Sequence, residues 1–229
     1  MSLLICRPKD YFVRMKWWCL IIWLLTLAGS RARAAETVLW QADFSHGLPA
    51  DWENYAFFGK KTDYTVIHNG TNTFLHASAV DACSALSIKL AMPAAGQLKL
   101  RWRWHIDGIC PRGTERELAT FDHAARVFVA FDTFLGPPRS LNYVWANVEP
   151  VGDLLAHPKS GRAQMFMVES GNPKAGQWLT EERDLAADWK RAFPDRPMPK
   201  VVGVGVMTDS DSLGGTVTGD YADIELIGE

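Results

Sequence analysis

Three basic side chains recur at every second position of one short segment, namely Arg101, Arg103 and His105. Alternate residues of an extended strand project from the same face, about 6–7 Å apart. Arginine binds carboxylate and sulfate groups through paired, charge-assisted hydrogen bonds. The spacing therefore predicts either a face that binds an acidic glycan or a face whose charges pair with acids such as Asp132 on a neighbouring strand.

A second group comprises Asp122, His123 and Arg126, with Tyr143 on what the sequence predicts as a neighbouring strand. An Asp–His pair beside an arginine suits general acid–base catalysis, and a tyrosine would complete the set for a lyase of sugar acids. Adjacent residues of a regular strand point to opposite faces, so Asp122 and His123 cannot serve one site there. A structural Asp122–Arg126 pair and a partly buried His123 are the favoured interpretation.

Acidic side chains in two places could bind calcium, which prefers oxygen ligands. One set flanks a glycine-rich turn, where Leu213 stands at a position that needs an oxygen ligand in the EF-hand pattern. The other set would join the first and last strands. Polar loops without a metal are the favoured interpretation, and no cofactor is predicted. The acids concerned are Asp209, Asp211 and Asp220 in the first set, and Asp43, Asp223 and Glu225 in the second.

Tryptophans give a further signal, because exposed aromatic rings are surfaces on which sugar rings stack. Seven tryptophans follow residue 34. Trp102, Trp104 and Trp189 fall on apolar faces and are predicted to lie in the core. The candidates for exposure are Trp52, Trp145 and Trp178.

The common catalytic signatures are missing from the sequence. It has no HExxH, no GxSxG, no P-loop, no complete dinucleotide-binding pattern and no CxxC. The residues therefore favour a binding protein over an enzyme, and they do not identify its ligand.

The first 34 residues have the pattern of a secretory signal peptide. Basic residues precede an apolar run from Trp17 to Ala28, and Ala32-Arg33-Ala34 supplies a cleavage pattern before Ala35. This run is too short for a hydrocarbon core of about 30 Å, so no integral membrane segment is expected after cleavage. We predict a signal peptide over residues 1–34 and a periplasmic or secreted mature protein.

Charge and cysteine content follow from this division. Residues 35–229 carry 18 basic and 25 acidic residues, a formal net charge of −7, because the leader holds six basic residues and one acid. Such a chain is a poor candidate for nucleic-acid binding, which requires neutralisation of phosphates. Cys83 and Cys110 are the two cysteines left, and in an exported protein they predict one disulfide, with two free thiols as the alternative.

Apolar residues alternate with polar ones along much of the chain, which is typical of half-buried strands. One stretch, Asp184–Phe193, has a helical stripe of Leu185, Trp189 and Phe193. About ten strands and one short helix near the C-terminal third predict an all-β, jelly-roll-like β-sandwich in a single domain, residues 35–229. The predicted strands are Val38–Phe44, Tyr64–His68, Thr73–Ala77, Leu86–Leu90, Leu98–Ile106, Ala125–Asp132, Leu141–Ala146, Ala163–Val168, Val201–Met207 and Tyr221–Ile227.

Several short strings occur in an order that resembles a known family. They are Arg101-Trp102-Arg103-Trp104, Asp122-His123-Ala124-Ala125-Arg126-Val127, Tyr143-Val144-Trp145, Trp178, Glu182-Arg183-Asp184, Asp188-Trp189 and Met207-Thr208-Asp209-Ser210-Asp211. In this order and spacing the chain, from about Val38 to Ile227, resembles the exported bacterial proteins of domain-of-unknown-function family 3047. The resemblance implies an exported β-sandwich similar to carbohydrate-binding jelly rolls, and it implies no activity. His123 departs from the family pattern, which usually has a second acid at that position.

The sequence thus predicts a non-catalytic, exported β-sandwich that binds a carbohydrate or a cell-envelope glycan. The candidate ligand-binding residues are Arg101, Arg103, His105, Asp122, Arg126, Tyr143 and Trp145. Two alternatives remain open. One is an enzyme, a lyase or hydrolase that cleaves an acidic polysaccharide with Arg126, His123 and Tyr143. The other is a structural partner in an envelope complex.

Overall fold

The computed structural model describes residues 36–93, 97–133 and 135–228. These residues contain thirteen strands, one α-helix and a short 3-10 helix. The predicted signal peptide lies outside these residues. The strands are β1 (Thr37–Gln41), β2 (Trp52–Gly59), β3 (Asp63–Asn69), β4 (Asn72–Val80), β5 (Ala82–Met92), β6 (Leu98–His105), β7 (Arg126–Phe131), β8 (Arg139–Ala146), β9 (Leu154–His157), β10 (Ser160–Ser170), β11 (Leu179–Asp184), β12 (Val201–Asp209) and β13 (Thr216–Gly228). The 3-10 helix is Leu118–Thr120, and α1 is Leu185–Ala192.

The strands form two sheets with the core between them. The six-stranded sheet has the order β11-β6-β13-β4-β3, and β1 also pairs with β13. The seven-stranded sheet has the order β2-β5-β12-β7-β8-β10-β9. All neighbours are antiparallel except β8 and β10, which are parallel. The predicted jelly-roll-like β-sandwich is confirmed.

Strand β6 shows why the chain folds in two layers. Leu98, Leu100, Trp102 and Trp104 are at most 1% exposed, and the basic residues between them are half-buried on the other face. Trp102 packs on Tyr143 of the facing sheet at 5.2 Å between ring centroids. Period-two alternation therefore places one row of side chains in the core and turns the other row outward.

Strand β12 is central in the seven-stranded sheet, between β5 and β7, as its apolar sequence predicts. Gly205 is opposite Phe128 of β7. A Cβ at Gly205 would lie 2.4 Å from Cζ of Phe128 and 2.7 Å from the carbonyl oxygen of Leu86. The glycine therefore lets the Phe128 ring lie against the sheet, on the face turned away from the core.

The helix α1 begins where the sequence predicts. The side chain of Asp184 accepts hydrogen bonds from the backbone N–H groups of Ala186 and Ala187, which caps the first turn. Trp189 packs on Phe131 at 4.7 Å, which fixes the helix to the end of β7. No helix in the described part of the chain is long and apolar enough to cross a membrane.

The predicted disulfide is wrong, because Cys83 and Cys110 are both free and buried. Cys83 lies on β5 directly opposite Asp209. Cys110 lies in the connection after β6, where its N–H donates to Asn147 and its Sγ is 4.0 Å from the carbonyl oxygen of Asp209. Each cysteine is thus held by its own neighbours around Asp209.

Candidate functional site

Arg101 and Arg103 lie on the outer face of the six-stranded sheet, and each is paired with acids. Arg101 donates to Glu182 from Nε at 3.0 Å and from Nη2 at 2.6 Å, and Nη2 also donates to Glu36 at 3.1 Å. Nε of Arg103 donates to Asp223 at 2.5 Å. The positive charge of this face is therefore largely neutralised within the protein, as the alternative interpretation of these residues predicts.

His105 lies on the same face beside the partly exposed Trp178. Its Nδ1 is 3.0 Å from Oδ2 of Asp220, and its ring is 5.7 Å from that of Trp178. Of the three tryptophans predicted as candidates for exposure, Trp178 is half-buried, while Trp52 and Trp145 are 6% and 1% exposed. The prediction of exposure is therefore wrong for Trp52 and Trp145, whose rings fill the core.

Asp122 is buried, but Arg126 is not its partner. Its two carboxylate oxygens accept hydrogen bonds from the backbone N–H groups of Ser212 and Leu213, at 3.0 and 2.6 Å. Asp122 therefore stabilises the loop between β12 and β13. The predicted Asp122–Arg126 pair is wrong, because the carboxylate beside Arg126 belongs to Asp209.

The residues of the hypothetical catalytic set do not share one cleft. Tyr143 lies on the inner face of the seven-stranded sheet, against Trp102. Arg126 lies on the outer face of that sheet. His123 is fully buried 4.6 Å from the ring of Phe121, and burial lowers its pKa well below the usual value. The arrangement keeps His123 neutral and separates it from Tyr143.

A pocket of about 420 Å³ opens on the outer face of the seven-stranded sheet, and we call it the outer-sheet pocket. Its residues alternate along β5, β7, β8 and β12 with the core residues of the same strands. The walls are mostly apolar, and neutral polar side chains are interspersed among them. The lining includes Ala85, Phe121, Phe128, Ala130, Ser140, Asn142, His157, Ala163 and Met207.

Arg126 and Asp209 form a buried ion pair that lines this pocket. Nη2 of Arg126 is 2.7 Å from Oδ2 of Asp209, and the two residues are 3% and 2% exposed. The other oxygen of Asp209 accepts the N–H of His123 at 3.1 Å. Burial raises the pKa of the Asp209 carboxyl to about 7, although the Arg126 guanidinium opposes that shift.

Two nitrogens of Arg126, Nε and Nη2, are buried without a hydrogen-bond partner among the described residues. Nη2 is nevertheless in ion-pair contact with Oδ2 of Asp209 at 2.7 Å, so Nε is the nitrogen without a close acceptor among those residues. The guanidinium carbon lies 5.3 Å from the centroid of the Phe121 ring. Buried polar groups are nearly always satisfied in folded proteins, so an incompletely satisfied arginine in the pocket lining is one reason to consider this pocket as a binding site.

One group of three potential metal ligands occurs in the described part of the chain, Cys83, Asp209 and Asp211, whose ligand atoms lie within 4.8 Å of one another. The Arg126 guanidinium already supplies the positive charge beside Asp209. Burial raises the pKa of the Cys83 thiol to about 12, which opposes formation of a thiolate. These residues therefore favour hydrogen bonding over metal binding.

The acids of the second hypothetical calcium site are also engaged. One oxygen of Asp43 accepts the N–H of Ser45 at 2.9 Å, and Asp223 holds Arg103. Strands β1 and β13 do pair, as a site between the first and last strands requires. The carboxylates nevertheless have partners of their own.

The sequence alone revealed Arg126 as a candidate but not the residues around it. Phe121 and Phe128 were missed, although Phe128 shares the outward face of β7 with Arg126. Asp209 was noticed only as a loop acid.

Burial and the nearby Arg126 lower the pKa of His157, a further pocket residue, to about 4.

Comparisons with known proteins give one family and several solved structures. The family model described as "Protein of unknown function (DUF3047)" matches residues 50–225. No curated protein matches the chain significantly. A family 11 carbohydrate-binding module of a cellulosomal cellulase of Clostridium thermocellum has 12% identity and a TM-score of 0.47, over 86% of this chain and 97% of that one.

Two further solved structures are similar at the same level. A family 30 carbohydrate-binding module of another cellulosomal cellulase of Clostridium thermocellum has 9% identity and a TM-score of 0.47, over 85% of this chain and 98% of that one. The K3 adhesin domain of Lys-gingipain from Porphyromonas gingivalis has 12% identity and a TM-score of 0.45, over 84% of this chain and 100% of that one.

Proposed function

The chain belongs to the DUF3047 family of proteins of unknown function, and for this member we propose a carbohydrate-binding role located in the outer-sheet pocket. The observation that carries the proposal is the Arg126–Asp209 ion pair in the lining of a pocket with apolar walls. The pocket volume lies within the range of about 300–1,000 Å³ that is typical of small-molecule sites.

A sugar matches both properties of this pocket. Neighbouring hydroxyl groups can donate to the carboxylate of Asp209 and accept from the guanidinium of Arg126, so a single diol can use both members of the pair. The C–H face of the same sugar ring can pack on the apolar walls, including Phe121 and Phe128. The pair would then be satisfied by the ligand, and water would be excluded from it.

The ionic character of the pocket favours hydroxyl groups over a strongly charged ligand. Arg126 and Lys159 contribute positive charge to the lining, and Asp209 and Asp211 contribute negative charge. The charges are thus nearly balanced, and neither sign dominates the interior. A neutral or weakly charged glycan is therefore the ligand that the pocket supports best.

A variant that fills the pocket without touching the ion pair tests this proposal. Ala130 is a half-buried pocket residue on the outward face of β7, and Ala130→Trp places a large ring in the cavity. Ser78, half-buried on β4 of the other sheet, offers a matched control in Ser78→Trp. Residues 35–229 and both variants would be screened on a glycan array, and hits would be measured by calorimetry.

We expect wild type and Ser78→Trp to bind the same glycans, and Ala130→Trp to lose at least about tenfold in affinity through exclusion of the ligand. Equal affinity of all three proteins would place any binding elsewhere. The absence of any glycan hit for wild type would contradict the proposed function itself.

We also propose that the protein is exported and acts outside the cytoplasm, as the pattern of residues 1–34 predicts. The support is the apolar run followed by Ala32-Arg33-Ala34. N-terminal sequencing of the protein from the periplasmic or secreted fraction should begin at Ala35. An unprocessed start, or a protein found only in the cytoplasmic fraction, would contradict this.

A further inference from the structure

We propose that a second site, the arginine groove formed by Arg139, Arg162, Arg196 and Lys200, binds a sugar ester that carries two or more phosphate or sulfate groups. The groove has a volume of about 660 Å³. Its walls come from the first residues of β8, the start of β10 and the segment between α1 and β12. The inference does not rest on the function proposed for the outer-sheet pocket.

The charge of the groove is the first argument. Four cationic side chains line it, against the two acids Asp132 and Asp195. Asp132 is 3.3 Å from Nζ of Lys200, so one acid is already used. Among the described residues no acid lies within ion-pair distance of the guanidinium groups of Arg139, Arg162 and Arg196.

Four other arginines of the protein behave differently. Arg101, Arg103, Arg116 and Arg183 each hold a carboxylate at 2.5–2.6 Å. Residues 35–229 have an excess of acids, yet three arginines in one groove lack an acid partner. A local concentration of positive charge that opposes the overall charge is a typical feature of a site for anions.

Two of the arginines are also held in place. The guanidinium carbon of Arg139 lies 5.0 Å from the ring centroid of Phe193, and Nη1 of Arg162 donates to the carbonyl oxygen of Pro137 at 3.1 Å. Burial lowers the pKa of Arg139, and the charges of Arg196 and Arg162 lower it further. The three charges are therefore close enough to repel one another, and a bound anion would relieve that repulsion.

The remaining lining indicates more than a bare anion. Trp189 and Leu135 line the groove, and Leu135 is 77% exposed. An apolar wall beside guanidinium forks suits a sugar ring that carries several oxyanion groups, because each fork matches two oxygens of a phosphate or sulfate. Three guanidinium forks favour a ligand with at least two such groups.

The test uses calorimetry on residues 35–229 at low and at physiological salt. Glucose 1,6-bisphosphate and sucrose octasulfate represent the two kinds of ester, pyrophosphate represents an anion without a sugar, and glucose represents a neutral sugar. The variants are Arg162→Gln and Arg196→Gln, and the matched control is Lys89→Gln. Lys89 is exposed on β5 and pairs only with Glu53 among the described residues, so this change removes one positive charge outside the groove.

We expect wild type and Lys89→Gln to bind one of the two esters, more weakly as salt increases, and glucose not to bind in the groove. Arg162→Gln and Arg196→Gln should each weaken binding about tenfold or more. Arg196 is exposed, so its variant should fold even if Arg162→Gln does not. Binding of neither ester by wild type would overturn the proposal, and so would equal losses in all three variants.

The pocket variant separates the two sites. Ala130→Trp should retain ester binding in full, because Ala130 does not line the groove. Loss of ester binding in Ala130→Trp, with retention in the arginine variants, would assign the anion to Arg126 and overturn the groove. Ester binding without any glycan hit would instead support the groove while the function proposed for the pocket fails.

Discussion

Removing both members of the buried Arg126–Asp209 pair should cost less stability than removing either one. Arg126→Met leaves the Asp209 carboxyl buried without its cation, and Asp209→Asn leaves the guanidinium buried without its anion. Loss of one partner from a buried pair typically costs about 3–5 kcal/mol. Both residues are at most 3% exposed, so the charge that remains is poorly solvated.

The double variant Arg126→Met, Asp209→Asn contains neither buried charge. The new asparagine side chain would keep an oxygen for the N–H of His123, which Asp209 accepts at 3.1 Å in the wild type. Replacement of a whole buried ion pair by uncharged residues is often nearly neutral. We therefore expect the double variant within about 1–2 kcal/mol of wild type, and a coupling energy of at least about 3 kcal/mol.

Urea unfolding at pH 8, followed by tryptophan fluorescence, measures all four proteins on one scale. Each kcal/mol also corresponds to roughly 2–4 °C in Tm for a domain of this size. If the loss of stability in the double variant equals the sum of the losses in the two single variants, the coupling is refuted, and with it the assignment of these two residues as partners. A stable double variant that has lost glycan affinity would show that the pair serves binding more than stability.

Other predictions concern the core, the thiols and a histidine. Trp104→Ala should destabilise the protein by about 3–5 kcal/mol, because the ring is fully buried; a cost under about 1 kcal/mol in urea unfolding would mean that the faces of β6 are reversed. Thiol titration of the exported protein in denaturant should detect both Cys83 and Cys110. The thiols of the native protein should react slowly with the same reagent, because burial raises the pKa of both. A denatured protein without reactive thiols would have the disulfide instead. The pKa of His157 falls from 6.5 to about 4 on folding, so the unfolded chain binds the extra proton and this histidine lowers stability as pH decreases from about 6.5 to 4. The raised pKa of the buried Asp209 acts in the opposite direction over the same range, so the contribution of His157 is measured as the difference between wild type and His157→Gln, and identical pH profiles of the two proteins would contradict the assignment.

The sequence predicts the strands that have one clearly buried face. All ten predicted strands are present, and the helix begins at its predicted cap, because alternation and capping depend on near neighbours in the chain. The three strands that were missed, β2, β9 and β11, all lie at sheet edges. Edge strands pair on one side only and tolerate polar residues, as Leu179–Asp184 shows, so their hydrophobic pattern is weak.

The candidate site depended on tertiary structure, because its members are far apart in sequence. The sequence identified Arg126 but paired it with Asp122, a close neighbour, whereas the fold brings Asp209 beside it through the pairing of β7 with β12. The disulfide prediction was wrong for the same reason. Spacing in the sequence does not show that the two cysteines have separate neighbours around Asp209.

The order of residues along the chain was enough to establish the alternation of faces, the helix and the sandwich class, because local backbone geometry and burial of apolar side chains govern these. It also placed Arg101 and Arg103 correctly on an outward face. Only the packed sheets determine which charges have partners. Glu182 and Asp223 neutralise those two arginines, and Asp209 pairs with Arg126. Arg139 has no acid within ion-pair distance among the described residues. Ion pairing depends on distances across strands, and these distances exist only once the sheets have formed.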